Sequence, residues 1–354
     1  MDRRTIIVGA LCASFAAGAV TSLGASNPET VKELFDNFKS EHRVSYSTMD
    51  EEMHRFSIFV KHLALIDSRN ADEHARSDGN GAVHGITRFA DLTQQEFEDM
   101  YLDKHVAAKI RNANATIASV PQYVGSATAA DYTGSQTTAI KDQGQCGSCF
   151  AHAAAEQIES DGMRLLGNDA SITLSVQQIV SCDHGEDQNG CRGGLQELSF
   201  DYVRDNGGIV SAKDYPYTAR TGRCDKSKDN YVMGVTKYDM IRTEDIPQSA
   251  EAIKSTEADF TSHLLSTGTL SIGVDATTWN TYKSGIMSDC GKGTDINHAV
   301  QLVGVDSSSS SGYWKIRNSW SAGWGEEGNI RVSYGANTCG LATEGGSYTT
   351  VFNI

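Results

Sequence analysis

The chain has 354 residues, with 30 Lys and Arg against 45 Asp and Glu and a formal charge of −15. That length is large for one domain and predicts two or three compact units, each able to bury its own core. The acidic balance, with no Lys/Arg cluster, excludes nucleic acid as the main partner, because phosphate binding needs grouped cations.

Asp2-Arg3-Arg4, the apolar stretch Thr5 to Val20 and the small residues through Gly24 have the zones of a secretory signal peptide over residues 1–24. The apolar stretch falls short of the ~20 residues that span a bilayer, and no later stretch is long enough either, so no membrane is expected once the signal is removed. Asn27-Pro28 then offers an N-cap and a first-turn proline, and Val31, Leu34, Phe35 and Phe38 recur at helical spacing. A longer helix begins near Thr48, which stands at capping-box spacing from Glu51, and carries Met53, Phe56, Phe59, Val60, Leu63 and Ile66 on one face. Glu51 and Arg55 have the spacing of an i, i+4 ion pair worth about 0.3 kcal/mol. Gly85, Thr87, Phe89 and Asp91 alternate as a strand would, and Thr93 and Glu96 cap a helix ending near Tyr101.

From Lys104 to about Gly125 small and polar residues without periodicity predict an extended, cleavable connection, which carries the sequon Asn114-Ala115-Thr116. A helix follows from Cys149, with Ala151, Ala154, Ala155, Ile158 and Leu165 on one face and Gly167 as its stop. A capped segment begins at Leu174-Ser175. From about Val235 strand-type runs take over: Leu270 to Val274, Ala299 to Val305, Tyr313 to Ile316 and Ile330 to Ser333, with the serine loop Ser307 to Ser311 between two of them.

Of eight cysteines, Cys12 falls in the signal, and the seven that remain are an odd number. In an oxidising compartment that flags one free thiol, and six cysteines allow fifteen disulfide connectivities, which stay open on sequence alone.

The free thiol is expected at Cys149. It stands in Gln143-Gly-Gln-Cys-Gly-Ser-Cys-Phe150 and opens a helix, where unpaired N–H groups and the positive end of the macrodipole favour a thiolate. A thiolate nucleophile needs a base and a third group to orient it. Asn297-His298-Ala299-Val300 opens one apolar run and Asn318-Ser319-Trp320 closes another. With these three stretches the chain resembles a papain-like cysteine protease. Glu51, Arg55, Phe59, His62, Ile66 and Asn70, and then Gly85, Thr87, Phe89 and Asp91, further resemble the prosegment motifs of cathepsin L-like zymogens, with His62 and Thr87 each standing where Asn is usual.

The resemblance implies an α+β, papain-like two-lobed fold, a helical lobe and a β-barrel-like lobe, preceded by a mostly helical inhibitory prosegment. Its divisions are a signal peptide at 1–24, the prosegment at 25–125 and a peptidase domain at 126–354, split near 234/235. It implies disulfides Cys146 to Cys191, Cys182 to Cys224 and Cys290 to Cys339. Cys149 would attack, His298 act as acid and base, Asn318 orient His298, Trp320 shield that bond, and Gln143 donate to the oxyanion. Gly193, Gly194, Leu195, Ile296 and Trp324 would bind substrate. Glu344, five residues after Cys339, would sit at the base of the S2 pocket and admit Arg at P2. The 104–125 connection would run through the cleft opposite to the direction of substrate. Partners would be protein and peptide substrates and the chain's own prosegment as inhibitor; no cofactor and no metal is implied, a monomer is expected, and the place of action would be the secretory pathway, in a lysosome-like acidic compartment or outside the cell.

The sequence departs from the family at Phe150, where Trp or Tyr is usual, at His152, where an apolar residue is usual, and at Ser321, where Gly is usual. Two other readings are open at this level. Cys146-Gly-Ser-Cys149 has Cys-x-x-Cys redox spacing, and a homologue that binds peptides without turnover would keep the fold.

Overall fold

The computed structural model describes residues 28–76, 81–103, 116–167, 169, 172–185, 187–242, 249–291, 295–308 and 311–354. The expected signal peptide, Asn114 and Ala115 of the sequon, and the connection over 104–115 lie outside the described residues.

Three helices and a short strand open the described chain: α1 (Pro28–His42), α2 (Met49–Arg76), β1 (Val83–His84) and α3 (Gln94–Tyr101). Val31, Phe35 and Phe38 of α1 meet Phe59, Leu63 and Ile66 of α2 in one small apolar core. Met53 and Val60, expected on that face, are 57% and 41% exposed; Phe59, Leu63 and Ile66 are buried as expected, and Ile58 and His62 join them. The expected Glu51–Arg55 pair is replaced by a longer-range contact. Arg55 Nη1 donates to Glu96 Oε2 at 2.9 Å and to the Asp91 carbonyl at 3.1 Å, which ties α2 to the start of α3. The Thr93–Glu96 capping box is present in both directions. Residues 85–91 do not form the expected strand. Thr87, Phe89, Ala90 and Asp91 are all buried, so the burial does not alternate, and the backbone turns at 88–92.

After β2 (Thr116–Ile117) and β3 (Ala129–Asp131) the chain enters a helical region, α4 (Cys149–Leu166), α5 (Val176–Cys182) and α6 (Gln196–Asp205), with β4 (Ile209–Val210) beyond it. α4 is buried around its whole circumference from Cys149 to Gly162, and its alanines allow that close approach. Leu165, expected on the apolar face, is 44% exposed in the last turn. Gly167 ends α4 in the left-handed conformation at φ 70°, which a glycine adopts without Cβ strain. Ser175 caps α5 through the Gln178 N–H at 3.0 Å.

The remainder is strand-rich: β5 (Tyr231–Ile241), β6 (Leu270–Val274), β7 (Tyr282–Ser284), β8 (Ile286–Met287), β9 (His298–Asp306), β10 (Tyr313–Arg317), β11 (Asn329–Ser333) and β12 (Gly346–Asn353). They order as β2-β5-β12-β6-β9-β10-β11-β8, with β3 paired to β9 and β4 to β5. A long helix, α7 (Ala250–Ser266), lies inside this half and was not expected. Two large cores result. One gathers α4 to α6 with β5 from Met233 through Met240; the other gathers α7, β6 and β9 to β11, and takes in Phe89, Phe97 and Tyr101 from the N-terminal segment.

The disulfides are Cys146–Cys191, Cys182–Cys224 and Cys290–Cys339, and Cys149 is free among the described cysteines. Since Cys146 is bonded to Cys191, the Cys146/Cys149 pair cannot act as a redox dithiol.

Candidate active site

Cys149 is the first residue of α4, and Ser148 before it makes no side-chain capping bond. The first-turn N–H groups are therefore unclaimed by a side chain, and no acidic residue sits in that turn to offset the dipole. The Ala299 N–H donates toward the Cys149 sulfur, which brings the start of β9 against the start of α4. His298, one residue earlier, is fully buried, and its Nε2 lies 2.8 Å from Asn318 Oδ1. Among the described residues His298 Nδ1 has no hydrogen-bond partner, and it is the ring nitrogen left for the sulfur. Trp320 lies over the imidazole with ring centroids 4.9 Å apart, so the His298–Asn318 bond is shut off from water.

Gln143 is fully buried and its amide has one possible orientation. Oε1 accepts from Ser319 Oγ at 2.7 Å and from Trp320 Nε1 at 3.0 Å, so Nε2 must face the other way. There it donates to the Tyr101 carbonyl at 3.2 Å and to the Cys146 carbonyl at 3.0 Å. Sequence reading brings Cys149, His298, Asn318, Gln143 and Trp320 into one candidate site, and the structure gathers all of them there. Sequence reading gives no sign of the roles of Tyr101 and Asp103, because a backbone carbonyl or a loop carboxylate carries no pattern of its own.

The N-terminal segment passes through this site. The Asp103 N–H donates to the Asn297 carbonyl at 2.6 Å. Gly193, at φ +100°, faces the Asp103 carboxylate so closely that a Cβ there would collide with it. A Cβ on Gly194 would instead strike Gln188 and the Phe150 ring, so that glycine serves internal packing. The cleft residues are thus Tyr101 to Asp103, just upstream of the connection expected to run there. Thr116–Ile117 of that connection lies along β5 in parallel pairing.

Leu195 and Ile296 are buried together, with Leu198 against them. Glu344 is buried, at 7% exposure, and is not a solvated surface group. Trp324 packs against Trp320, Trp279 and Tyr282 and is 2% exposed.

The electrostatics differ from the thiolate expected of an open site. Burial pushes the Cys149 thiol up to about 12, the Ala299 N–H and the helix terminus oppose this, and the nearby Asp103 adds to it. Burial lowers His298 to about 4, with the Asn318 bond acting in the other direction. In this closed form the pair is neutral.

The docked segment is held by its own chemistry. Phe89, Phe97 and Tyr101 meet Trp320 edge-on at centroid distances of 5.1, 5.4 and 6.2 Å, and burying each ring contributes about 2 kcal/mol. Arg69 Nη1 donates to the Thr278 carbonyl, Asn280 Oδ1 and Thr281 Oγ1 at 3.0, 2.6 and 2.7 Å. Glu73 accepts from Ser288 N at 3.0 Å and from Ser288 Oγ at 2.8 Å, and β1 pairs with β7.

Residues 126–349 match the family described as papain family cysteine protease. The chain belongs to that family. Residues 35–97 match the cathepsin propeptide inhibitor domain, so this papain-family protease is a zymogen carrying its inhibitor in the same chain. It is 36% identical to cathepsin L 2 of Paramecium tetraurelia over 87% of this chain and 89% of that protein. It is 33% identical to cysteine proteinase 2 of Leishmania pifanoi over 95% and 73% of the respective chains. Digestive procathepsin L2 proteinase from the Tenebrio molitor larval midgut superposes with a TM-score of 0.78 at 27% identity, covering 90% of this chain and 99% of that one. The procathepsin L 3 of the same tissue superposes at 0.73 and 28% identity, with coverage of 90% and 99%.

Proposed function

We propose that the chain is made as a precursor with a signal peptide at 1–24, an inhibitory prosegment at 25–125 and a peptidase at 126–354, and that the peptidase is an endopeptidase acting through Cys149. Departure of the prosegment readmits water, which relieves the desolvation holding Cys149 and His298 neutral and lets the proton pass from sulfur to imidazole. The Cys149 sulfur then attacks the peptide carbonyl carbon. The oxyanion accepts from the Cys149 N–H and Gln143 Nε2, and His298 gives its proton to the departing amine. A water that loses its proton to the same imidazole hydrolyses the thioester and frees Cys149. Asn318 keeps His298 turned throughout, and Trp320 keeps solvent from that bond.

The observation that carries this reading is the Tyr101 carbonyl on Gln143 Nε2, with the Asp103 N–H on the Asn297 carbonyl. A peptide already lies in the cleft with a carbonyl at the proposed oxyanion donor, as a substrate would. The test is to express residues 25 to 354, lower the pH, and follow prosegment loss and hydrolysis of dipeptide substrates beside Cys149→Ala. Processing and turnover that vanish in the mutant are expected. A folded wild type, freed of its prosegment by another protease, that cleaves nothing and ignores a thiol-directed inhibitor would overturn the reading.

Gly193, Leu195 and Ile296 are proposed to hold the substrate, and Glu344 to accept Arg at P2 beside Leu or Phe; its burial next to the strand-rich core favours a pocket role over a surface one. An Arg-to-Leu preference at P2 unchanged in Glu344→Ala would end that idea. Three disulfides favour the secretory pathway, with an acidic compartment or the cell exterior as the place of action.

A further inference from the structure

Behind the two proposed oxyanion donors runs a closed line of hydrogen bonds whose proton directions are fixed by chemistry. The Gln143 carbonyl can only accept, so Tyr217 Oη–H donates to it, at 2.8 Å. That uses the phenol proton, and the 2.6 Å contact between Tyr217 Oη and Ser148 Oγ must have Ser148 as donor. The Ser148 carbonyl likewise only accepts, so His152 Nδ1, 2.9 Å away, carries the ring proton. The His152 backbone N–H reaches the same carbonyl at 3.1 Å, and His152 Nδ1 lies 3.4 Å from Ser148 Oγ. The His152 and Tyr217 rings meet edge to face at 4.9 Å.

The Ser148 carbonyl and the Cys149 N–H belong to one planar peptide. Two donors from His152 on that carbonyl therefore fix the direction of the Cys149 N–H. At the other end, Tyr217 fixes the backbone that carries the Gln143 side chain. We propose that His152 is a positioning residue which, through Ser148 and Tyr217, locks the Cys149 N–H and the Gln143 amide into one rigid pair of oxyanion donors. This rests on the reading of Cys149 as nucleophile and Gln143 as its oxyanion partner. His152 is 1% exposed and burial lowers it to about 3, so it acts as a neutral donor and not as a charge. An apolar residue, usual at this place in the resemblance, could make only the backbone half of the clamp.

The test uses the processed enzyme and three readouts. A peptide aldehyde adds the Cys149 sulfur to form a hemithioacetal whose oxygen needs both donors; iodoacetamide alkylates the same sulfur without building an oxyanion; a dipeptide amide gives kcat and KM. In His152→Phe, kcat and aldehyde affinity are expected to fall about tenfold, with KM and the iodoacetamide rate within about twofold of wild type. His152→Asn, whose amide N–H can replace the ring N–H, is expected to recover most of the loss. Tyr217→Phe is expected to behave as His152→Phe, with the double variant no worse than either, and it carries the same readouts if His152→Phe does not fold. Unchanged kcat and aldehyde affinity in His152→Phe, or an iodoacetamide rate that falls in step with turnover, would overturn the inference. A wild type that neither turns over nor alkylates would overturn the reading beneath it instead.

Discussion

Cys149 and His298 are both held in their neutral forms while the prosegment lies over them. With the thiol raised to about 12 and the imidazole lowered to about 4, neither ionises near neutral pH. The resting precursor is therefore inert for an electrostatic reason in addition to a steric one. At pH 7 the precursor's Cys149 should react with iodoacetamide at least about a hundredfold more slowly than the processed enzyme's, since the thiolate is the nucleophile; a stopped-time alkylation assay measures this, and equal rates would contradict it. The residue types at the site were legible in the sequence because each requirement, a thiol at a helix start, a distant imidazole, an amide acceptor, names a side chain. The Tyr101 carbonyl was not, since every residue has one and only the fold says which is aimed at Gln143. Leu165 and Met53 were misplaced because a helical face read by period alone cannot say where along the helix its neighbours end.

Within the prosegment, α2 and β1 carry two histidines that are buried without charge. His62 and His84 are each lowered to about 4, first by burial and then by the Arg69 cation, while Asp289 opposes this at His84. Above pH 6.5 each is neutral folded or unfolded and costs nothing. As pH falls from 6.5 toward about 4 the unfolded chain binds protons that the folded one refuses, so stability is lost through that window, on the order of 3 kcal/mol for each. Asp91 acts the other way: burial raises its carboxyl, so mild acid favours its folded form. His62→Asn, tested in the Cys149→Ala precursor by limited proteolysis against pH, should move the midpoint of prosegment release to lower pH; an unmoved midpoint would remove His62 from the account. Arg69→Ala should weaken docking by about 3 kcal/mol, because it strands three acceptors in a buried contact, and should show as at least a tenfold rise in turnover by the unprocessed precursor. The capped helices here were legible, but the docking of Arg69 was not, for nothing in the spacing of α2 marks a residue that bonds a loop more than two hundred positions away.

Across the whole molecule two cores are joined by a sheet that pairs distant segments, such as β12 with both β5 and β6. The strands at 270–274 and 298–306 were readable because each is a short run dominated by apolar and small residues and buried along nearly its whole length. β12 was not, since Ser347 and Thr349 are among the side chains it turns inward. Nor was α7, whose buried face holds Thr256, Glu257, Ser262 and His263 beside only Phe260 and Leu264 as large apolar groups. Cys182–Cys224 closes a 42-residue separation within the helical core, and replacing both cysteines by serine should cost about 3 kcal/mol in urea unfolding, with kcat largely kept because neither cysteine touches the candidate site.

All four tryptophans of the chain, Trp279, Trp314, Trp320 and Trp324, are buried in the precursor. Three of them form one stack, and the rings that roof Trp320 come from the prosegment. Departure of that roof wets the stack while Trp314, packed against Phe260 and Tyr334, stays dry. Indole emission moves to longer wavelength when water reaches the ring, so unlabelled protein reports its own activation by colour, with Trp314 as the internal standard that does not move.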